Sequence, residues 1–221
     1  MINITPAILP ADFSELEEKV SSVKGLVSLV QIDITDKTFT DEATWPYKKP
    51  DMNFESILKE ERGMPFWEDV DYEIDLMVKK PEEVVEDWII TGATRLIIHS
   101  KSSENLGQLI DDLYGRIEIY LGLEIEDDIS VIEKYIDKIS GVQTMGISVI
   151  GHQGHPYAPE VIPKIKEIRN KYPSLPISVD GGVNLENAKD LIDAGATRLV
   201  CGSYLFESNN IVEAYDKIRN I

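Results

Sequence analysis

Gly92-Ala93-Thr94-Arg95-Leu96 recurs 103 residues later as Gly195-Ala196-Thr197-Arg198-Leu199. Each copy closes a helical stretch at its glycine and opens a β-rich run, Arg95–His99 in the first case and Arg198–Cys201 in the second. A glycine there stops a helix, so both copies mark the same kind of junction. Working outward, six further β-rich runs follow one another along the chain: Asn3–Leu9, Leu29–Ile34, Tyr72–Val78, Ile117–Leu123, Thr144–Val149 and Pro176–Val179. Most are followed by helical periodicity. Phe13, Leu16 and Val20 fall on one helix face, as do Val161, Ile162, Ile165 and Ile168, and the segment Asn187–Ala194 runs into Gly195. Strands alternating with helices pair in parallel through right-handed crossovers. The repeat offset shared among four units gives about 26 residues per unit, a plausible strand-plus-helix length. The sequence therefore predicts an α/β fold, a (β/α)8 TIM barrel, built as one domain over residues 1–221, and the repeat reads as a half-barrel duplication. An open doubly wound sheet would need a glycine-rich turn after the first strand, where Leu9-Pro10-Ala11-Asp12 stands instead.

Charge narrows the function classes. Lys and Arg number 22 against 40 Asp and Glu, a formal net charge of −18. A nucleic-acid backbone or an anionic membrane needs a basic face, so neither is an expected partner. The segment from Met1 to Pro6 has neither a basic leader nor a long apolar run, and no apolar stretch approaches the roughly 20 residues of a membrane span. The expected location is cytoplasmic. The single cysteine, Cys201, sits in an apolar run and reads as a small buried strand residue rather than a nucleophile. The irregular stretch from Asp36 to Asp69 holds Trp45, Trp67, Pro46, Pro50, Pro65 and one helix near Phe54–Glu61. It suits a lid or an interface as well as a simple excursion after strand two.

In a barrel of this kind, chemistry belongs to the C-terminal ends of the strands. That selects Asp33, Asp75, His99, Glu124, the loop Gly151-His152-Gln153-Gly154, Asp180-Gly181-Gly182 and Gly202-Ser203. Glycine clusters end strands six, seven and eight in succession, where backbone N–H groups can approach a phosphate closely, helped by the N-terminus of the helix after strand eight. Gln31 and Asp33 share a strand face, and Asp180 ends strand seven. Strands two and seven are expected on opposite sides of the mouth. Two carboxylates placed so suit proton removal from a carbon beside a carbonyl and proton return from the other face. Strand-end aspartates also cap loops, so a structural role stays open.

At these residues the sequence resembles the ribulose-phosphate 3-epimerase family. Ile4-Thr5-Pro6-Ala7-Ile8-Leu9-Pro10-Ala11-Asp12-Phe13 stands against the family's A-P-S-I-L-S-A-D-F, and Gln31-Ile32-Asp33-Ile34-Thr35-Asp36 against H-V-D-V-M-D. Asp75-Leu76-Met77 stands against H-L-M, Gly151-His152-Gln153-Gly154 at G-F-G-G, Val179-Asp180-Gly181-Gly182-Val183 at V-D-G-G-V, and Gly202-Ser203 at the terminal G-S. The likeness runs from residue 3 to about 206. It implies a metal-assisted epimerase of a phosphorylated sugar, ribulose 5-phosphate in the family. Asp33 and Asp180 would be its catalytic acid and base at C3, and the divalent metal would be held at Gln31, Asp33, Asp75 and Asp180. Ala7, the loop Gly151 to Gly154, Gly181, Gly182, Gly202 and Ser203 would hold the substrate.

The departures are as informative. Both metal histidines of the family are replaced, by Gln31 and Asp75, and the first-strand serine is Ala7. Three aspartates and a glutamine form an all-oxygen set that suits Mg2+ or Mn2+ rather than Zn2+. Without a cation three crowded carboxylates repel one another and their pKa values rise. His152 and His155 are additions to the strand-six loop that suit phosphate contact, proton shuttling or simple exposure, and His99 ends strand four as an auxiliary residue of the mouth. Two other classes stay open: a sugar-phosphate lyase or isomerase on the same scaffold, and a phosphosugar-binding barrel without turnover. The first usually carries Asp-x-Lys on strand two, and Asp33-Ile34-Thr35 lacks the lysine. A homo-oligomer is left open by the sequence.

Overall fold

The computed structural model describes residues 2–151 and 154–221; His152 and Gln153 lie outside the described residues. Eight parallel strands close into a barrel in sequence order: β1 (Asn3–Ile8), β2 (Leu29–Thr35), β3 (Asp71–Met77), β4 (Arg95–His99), β5 (Glu118–Leu123), β6 (Gly141–Met145), β7 (Ile177–Asp180) and β8 (Arg198–Cys201). β1 pairs with both β2 and β8, which closes the ring and leaves no free edge. The helices are α1 (Phe13–Val23), α2 (Met52–Leu58), α3 (Val85–Ile90), α4 (Leu106–Leu113), α5 (Ser130–Glu133), α6 (Val161–Lys171), α7 (Ala188–Ala194), α8 (Ser203–Phe206) and α9 (Ile211–Arg219). Among the described residues no helix is long and apolar enough to cross a membrane.

Local signals explain the framework. Asp12 caps α1 by accepting from Glu15 N at 3.0 Å, and Phe13, Leu16, Val20 and Val23 form its buried stripe. Gly195 ends α7 at φ +119°, a conformation that costs other residues. The two copies of the repeat sit at equivalent junctions. Thr94 Oγ1 donates to Tyr72 O and Thr197 Oγ1 donates to Ile177 O, both at 3.1 Å. Arg95 and Arg198 then converge on one buried carboxylate, Glu73, at 2.6 and 2.5 Å, and lie over the Tyr120 ring.

Three expectations need correction. β6 runs from Gly141 to Met145, not from Thr144 to Val149. Gly141 is a strand residue whose missing side chain makes room for Tyr120, since a Cβ would stand 2.6 Å from the ring. The strand ends at Met145, and Gly146 N donates to Asp180 O at 2.6 Å as the last rung of its pairing with β7. The helix expected near Phe54–Glu61 begins earlier, at Met52, where Asp51 accepts from Asn53 N and Phe54 N. The helix after strand eight is a single turn, Ser203–Phe206, so it offers a few N–H groups rather than a long dipole.

The excursion after β2 is packed rather than detached. Trp45 is 2% exposed and its ring meets those of Phe13, Phe54 and Trp88 at 5.6, 5.4 and 6.0 Å. The start of the excursion is stitched back onto the strand end, with Thr44 N donating to Thr35 O and Thr44 Oγ1 to Asp33 O. Its tip reaches across the mouth. Phe39 packs on His99, and Thr40 lies so close to Gly151 that a Cβ there would stand 2.6 Å from Thr40 Cγ2. Trp67, by contrast, is 62% exposed.

Candidate active site

β2 and β3 pair in register with Asp33 opposite Asp75, and β6 pairs with β7 so that Met145 stands opposite Asp180. Residues alternate across a strand, so Gln31 and Asp33 both face the lumen. Going round the ring, β2 and β7 are separated by β1 and β8, so they are not diametrically opposite as expected. Their carboxylates nevertheless meet. One oxygen each from Asp33, Asp75 and Asp180 lies within 4.8 Å of the others, and all three residues are buried.

Two amides knit this cluster. Gln31 Nε2 donates to Asp33 Oδ1 at 2.7 Å and to Asp180 Oδ2 at 2.6 Å. Gln143 Nε2 donates to Asp75 Oδ2 at 2.9 Å and to Asp180 Oδ2 at 3.2 Å. His99 Nε2 lies 2.8 Å from Asp75 Oδ1. Burial, then the neighbouring carboxylates Asp180 and Asp75, holds Asp33 well above the usual range against the opposing Gln31 hydrogen bond. Asp180 is pushed up to about 7, first by burial and then by Asp75, with Gln31 opposing. Burial disfavours charge on His99, but the Asp75 carboxylate outweighs it and the ring's pKa is raised.

An open cavity of about 530 Å3 lies above the aspartates. Ala7, Asp33, Gly151, Gly154, His155, Asp180, Gly181, Gly182, Gly202 and Ser203 all line it, so the expected substrate residues among those described converge. Gly182 has φ +66°, and a Cβ there would stand 2.8 Å from Tyr157 Cα. Only glycine fits that corner. Met77, Met145, Ile147, Val183 and Val200 complete an apolar wall that the sequence reading missed. Met145 and Ile147 were hidden by the misplaced sixth strand. Two expected residues stand apart. Glu124 is outside the described cavity lining, where its backbone N–H donates to Asp127 Oδ2, and His99 reaches the site through its bond to Asp75. Cys201 is buried and unpaired with another cysteine, and burial raises its thiol pKa, as expected of a packed strand residue.

The donor set accepts a metal ion in one specific respect. Gln31 is fully buried, yet among the described residues its Oε1 has no hydrogen-bond partner. Such an orphan is costly. Turning the amide over would add a fourth oxygen to the three carboxylates.

The profile of the ribulose-phosphate 3-epimerase family matches residues 3–206. The chain belongs to that family. The ribulose-phosphate 3-epimerase of Schizosaccharomyces pombe is 27% identical over 220 residues, 98% of this chain and 92% of that protein. The Bacillus subtilis ribulose-phosphate 3-epimerase is 28% identical over 226 residues, covering 99% of each. Among solved structures, KGPDC from Streptococcus mutans superposes with a TM-score of 0.69 at 14% identity. It covers 100% of this chain and 99% of that one, a likeness of fold alone.

Proposed function

We propose that the whole chain acts as one catalytic barrel that epimerises a ketose phosphate at C3, ribulose 5-phosphate being the first substrate to try. One observation carries this reading: three buried aspartates from β2, β3 and β7 converge within 4.8 Å beneath a cavity whose rim is Gly182, Gly202 and Ser203. Asp33 and Asp180 are the catalytic pair. One removes the C3 proton, and the other delivers a proton to the opposite face, which inverts the centre. Carboxylates held above their ordinary pKa are stronger bases than free ones, and Asp180 near 7 can serve in either direction at neutral pH.

The phosphate end is recognised by backbone N–H groups at Gly182 and Gly202, by Ser203 and by His155; no Lys or Arg is among the described cavity residues. Anchoring that end holds C3 between the carboxylates and makes proton transfer effectively unimolecular. Ala7, Met77, Met145 and Val200 exclude water around the reacting carbon. Gln31, Asp33, Asp75 and Asp180 would hold a divalent cation, and an all-oxygen set favours Mg2+ or Mn2+ over Zn2+. When bound, that cation supplies positive charge for the enediolate oxygens.

The experiment is solvent deuterium incorporation at C3, followed by NMR with ribulose 5-phosphate and hexulose 6-phosphates in the presence of Mg2+ or Mn2+. Wash-in at C3 is expected, and it should vanish in Asp33→Asn and Asp180→Asn while phosphosugar binding persists. No exchange with any ketose phosphate and any divalent cation would end the epimerase reading.

A further inference from the structure

The two glutamines of the site are held differently. Among the described residues Gln31 is anchored through Nε2 alone, and its Oε1 is an orphan. Gln143, also fully buried, is anchored at both ends of its amide. Its Nε2 faces Asp75 and Asp180, and its Oε1 faces Arg198 Nη2 at 3.4 Å. Arg198 is fixed in turn. Its Nη1 pairs with Glu73 at 2.5 Å, and its Nε donates to Ser178 Oγ at 2.7 Å. A guanidinium offers only donors and a carboxylate only acceptors. Turned over, the Gln143 amide would set donor against donor and oxygen against two carboxylates. The 3.4 Å contact is a weak hydrogen bond, but its polarity decides the orientation.

The lower layer does not need Gln143. Arg198 keeps Glu73 and Ser178 without it, and Glu73 keeps Arg95. The carboxylates above do need it. Asp75 and Asp180 come from β3 and β7, and one shared donor ties an oxygen of each to the same nitrogen.

We propose that Gln143, locked by Arg198, is a positioning residue that sets the spacing of Asp75 and Asp180 and so shapes the divalent-cation site. The inference rests on the cation reading above. Groups that orient metal ligands typically change metal affinity or activity by about 10–100-fold when removed. A merely structural glutamine would change the melting temperature and leave cation affinity alone.

The test uses the full chain with Mn2+ alone as probe, read by titration calorimetry and by the Mn2+ electron paramagnetic resonance spectrum. Gln143→Leu should fold, bind Mn2+ about 10–100-fold more weakly than the parent, and alter the spectrum. In turnover it should lower kcat with little change in the KM for the phosphosugar, whose anchor is elsewhere. Should Gln143→Leu not fold, Gln143→Met, unbranched like glutamine, carries the same comparison. Parent-like Mn2+ affinity in a folded variant overturns the positioning role and leaves the cation reading intact. Failure of the parent itself to bind any divalent cation overturns both.

Discussion

Asp33 and Asp180 make an explicit pH prediction. Both carboxyls are held above their ordinary value of 3.8, first by burial and then by neighbouring carboxylates. A folded state that binds its protons more tightly than the unfolded chain loses relative stability wherever the unfolded chain has already released them. Below pH 3.8 the two states are equally protonated, and no penalty exists. The contribution of Asp180 should therefore erode between pH 3.8 and about 7 and then level off, and Asp33, also raised, adds to the loss above pH 3.8. Divalent cations bind the ionised carboxylates and release their protons, so their effect runs the other way. The melting temperature of chelator-treated protein should fall across this window, and Mn2+ should restore far more of it at pH 8 than at pH 5. A melting temperature that does not fall with pH would mean the cluster is ionised at little cost. Whether the site is a carboxylate cluster was legible residue by residue, because Asp33 and Asp75 lie near the C-terminal ends of β2 and β3 and Asp180 ends β7. The bond between Asp75 and His99 was not, because it joins neighbouring strands whose register no local pattern reports.

Elements behaved according to the strength of their local signals. β4 and β8, each introduced by Gly-Ala-Thr-Arg-Leu, lie where the repeat placed them. β6 was misread because Gly141 and Gln143 look unlike strand residues, and that error concealed Gln143 as a partner of the aspartates. The excursion after β2 belongs partly to the core, through Trp45, and partly to the rim, through Phe39 and Thr40. Trp45→Ala removes a ring packed against three others and should destabilise the protein by about 3–5 kcal/mol in urea unfolding, as large-to-small changes at buried aromatics do. A loss below about 0.5 kcal/mol, the range typical of surface substitutions, would place the excursion outside the folding unit. At the cavity rim, Gly182→Ala forces a Cβ against Tyr157 and a side chain into φ +66°. The loop must move, and binding of ribulose 5-phosphate should weaken about tenfold, a cost of about 1.4 kcal/mol.

At the scale of the whole barrel, the proposed phosphate anchor and the carboxyls of Asp33 and Asp180 line one cavity, Gly182 following Asp180 after β7 and Gly202 and Ser203 following β8. A phosphosugar that binds only the folded chain should raise its melting temperature by mass action, by about 2.7 kcal/mol of stability at a hundredfold excess over Kd. Dephosphorylated ribulose should give a much smaller shift, since the anchor at Gly182, Gly202 and Ser203 would have nothing to hold. Equal shifts with the two sugars would remove the phosphate subsite. The net charge of −18 acts on this binding as a background repulsion, so added salt should tighten rather than weaken phosphosugar binding.

The sequence by itself determined the barrel and the candidate groups at most strand ends, the sixth strand excepted. Strand and helix periodicities, the Gly195 helix stop and the five-residue repeat are local signals, readable without knowing what packs on what. The tertiary structure alone decided which strand-end groups meet and how. Gln31 and Asp180 lie 149 residues apart and share one hydrogen bond; Gln143 and Arg198 lie 55 apart and settle an amide's orientation between them. Closing the ring fixes those distances, and burial then converts ordinary carboxyls into raised, mutually repelling ones. A sequence states which groups are available, whereas spacing across the lumen and exclusion of water set their chemistry.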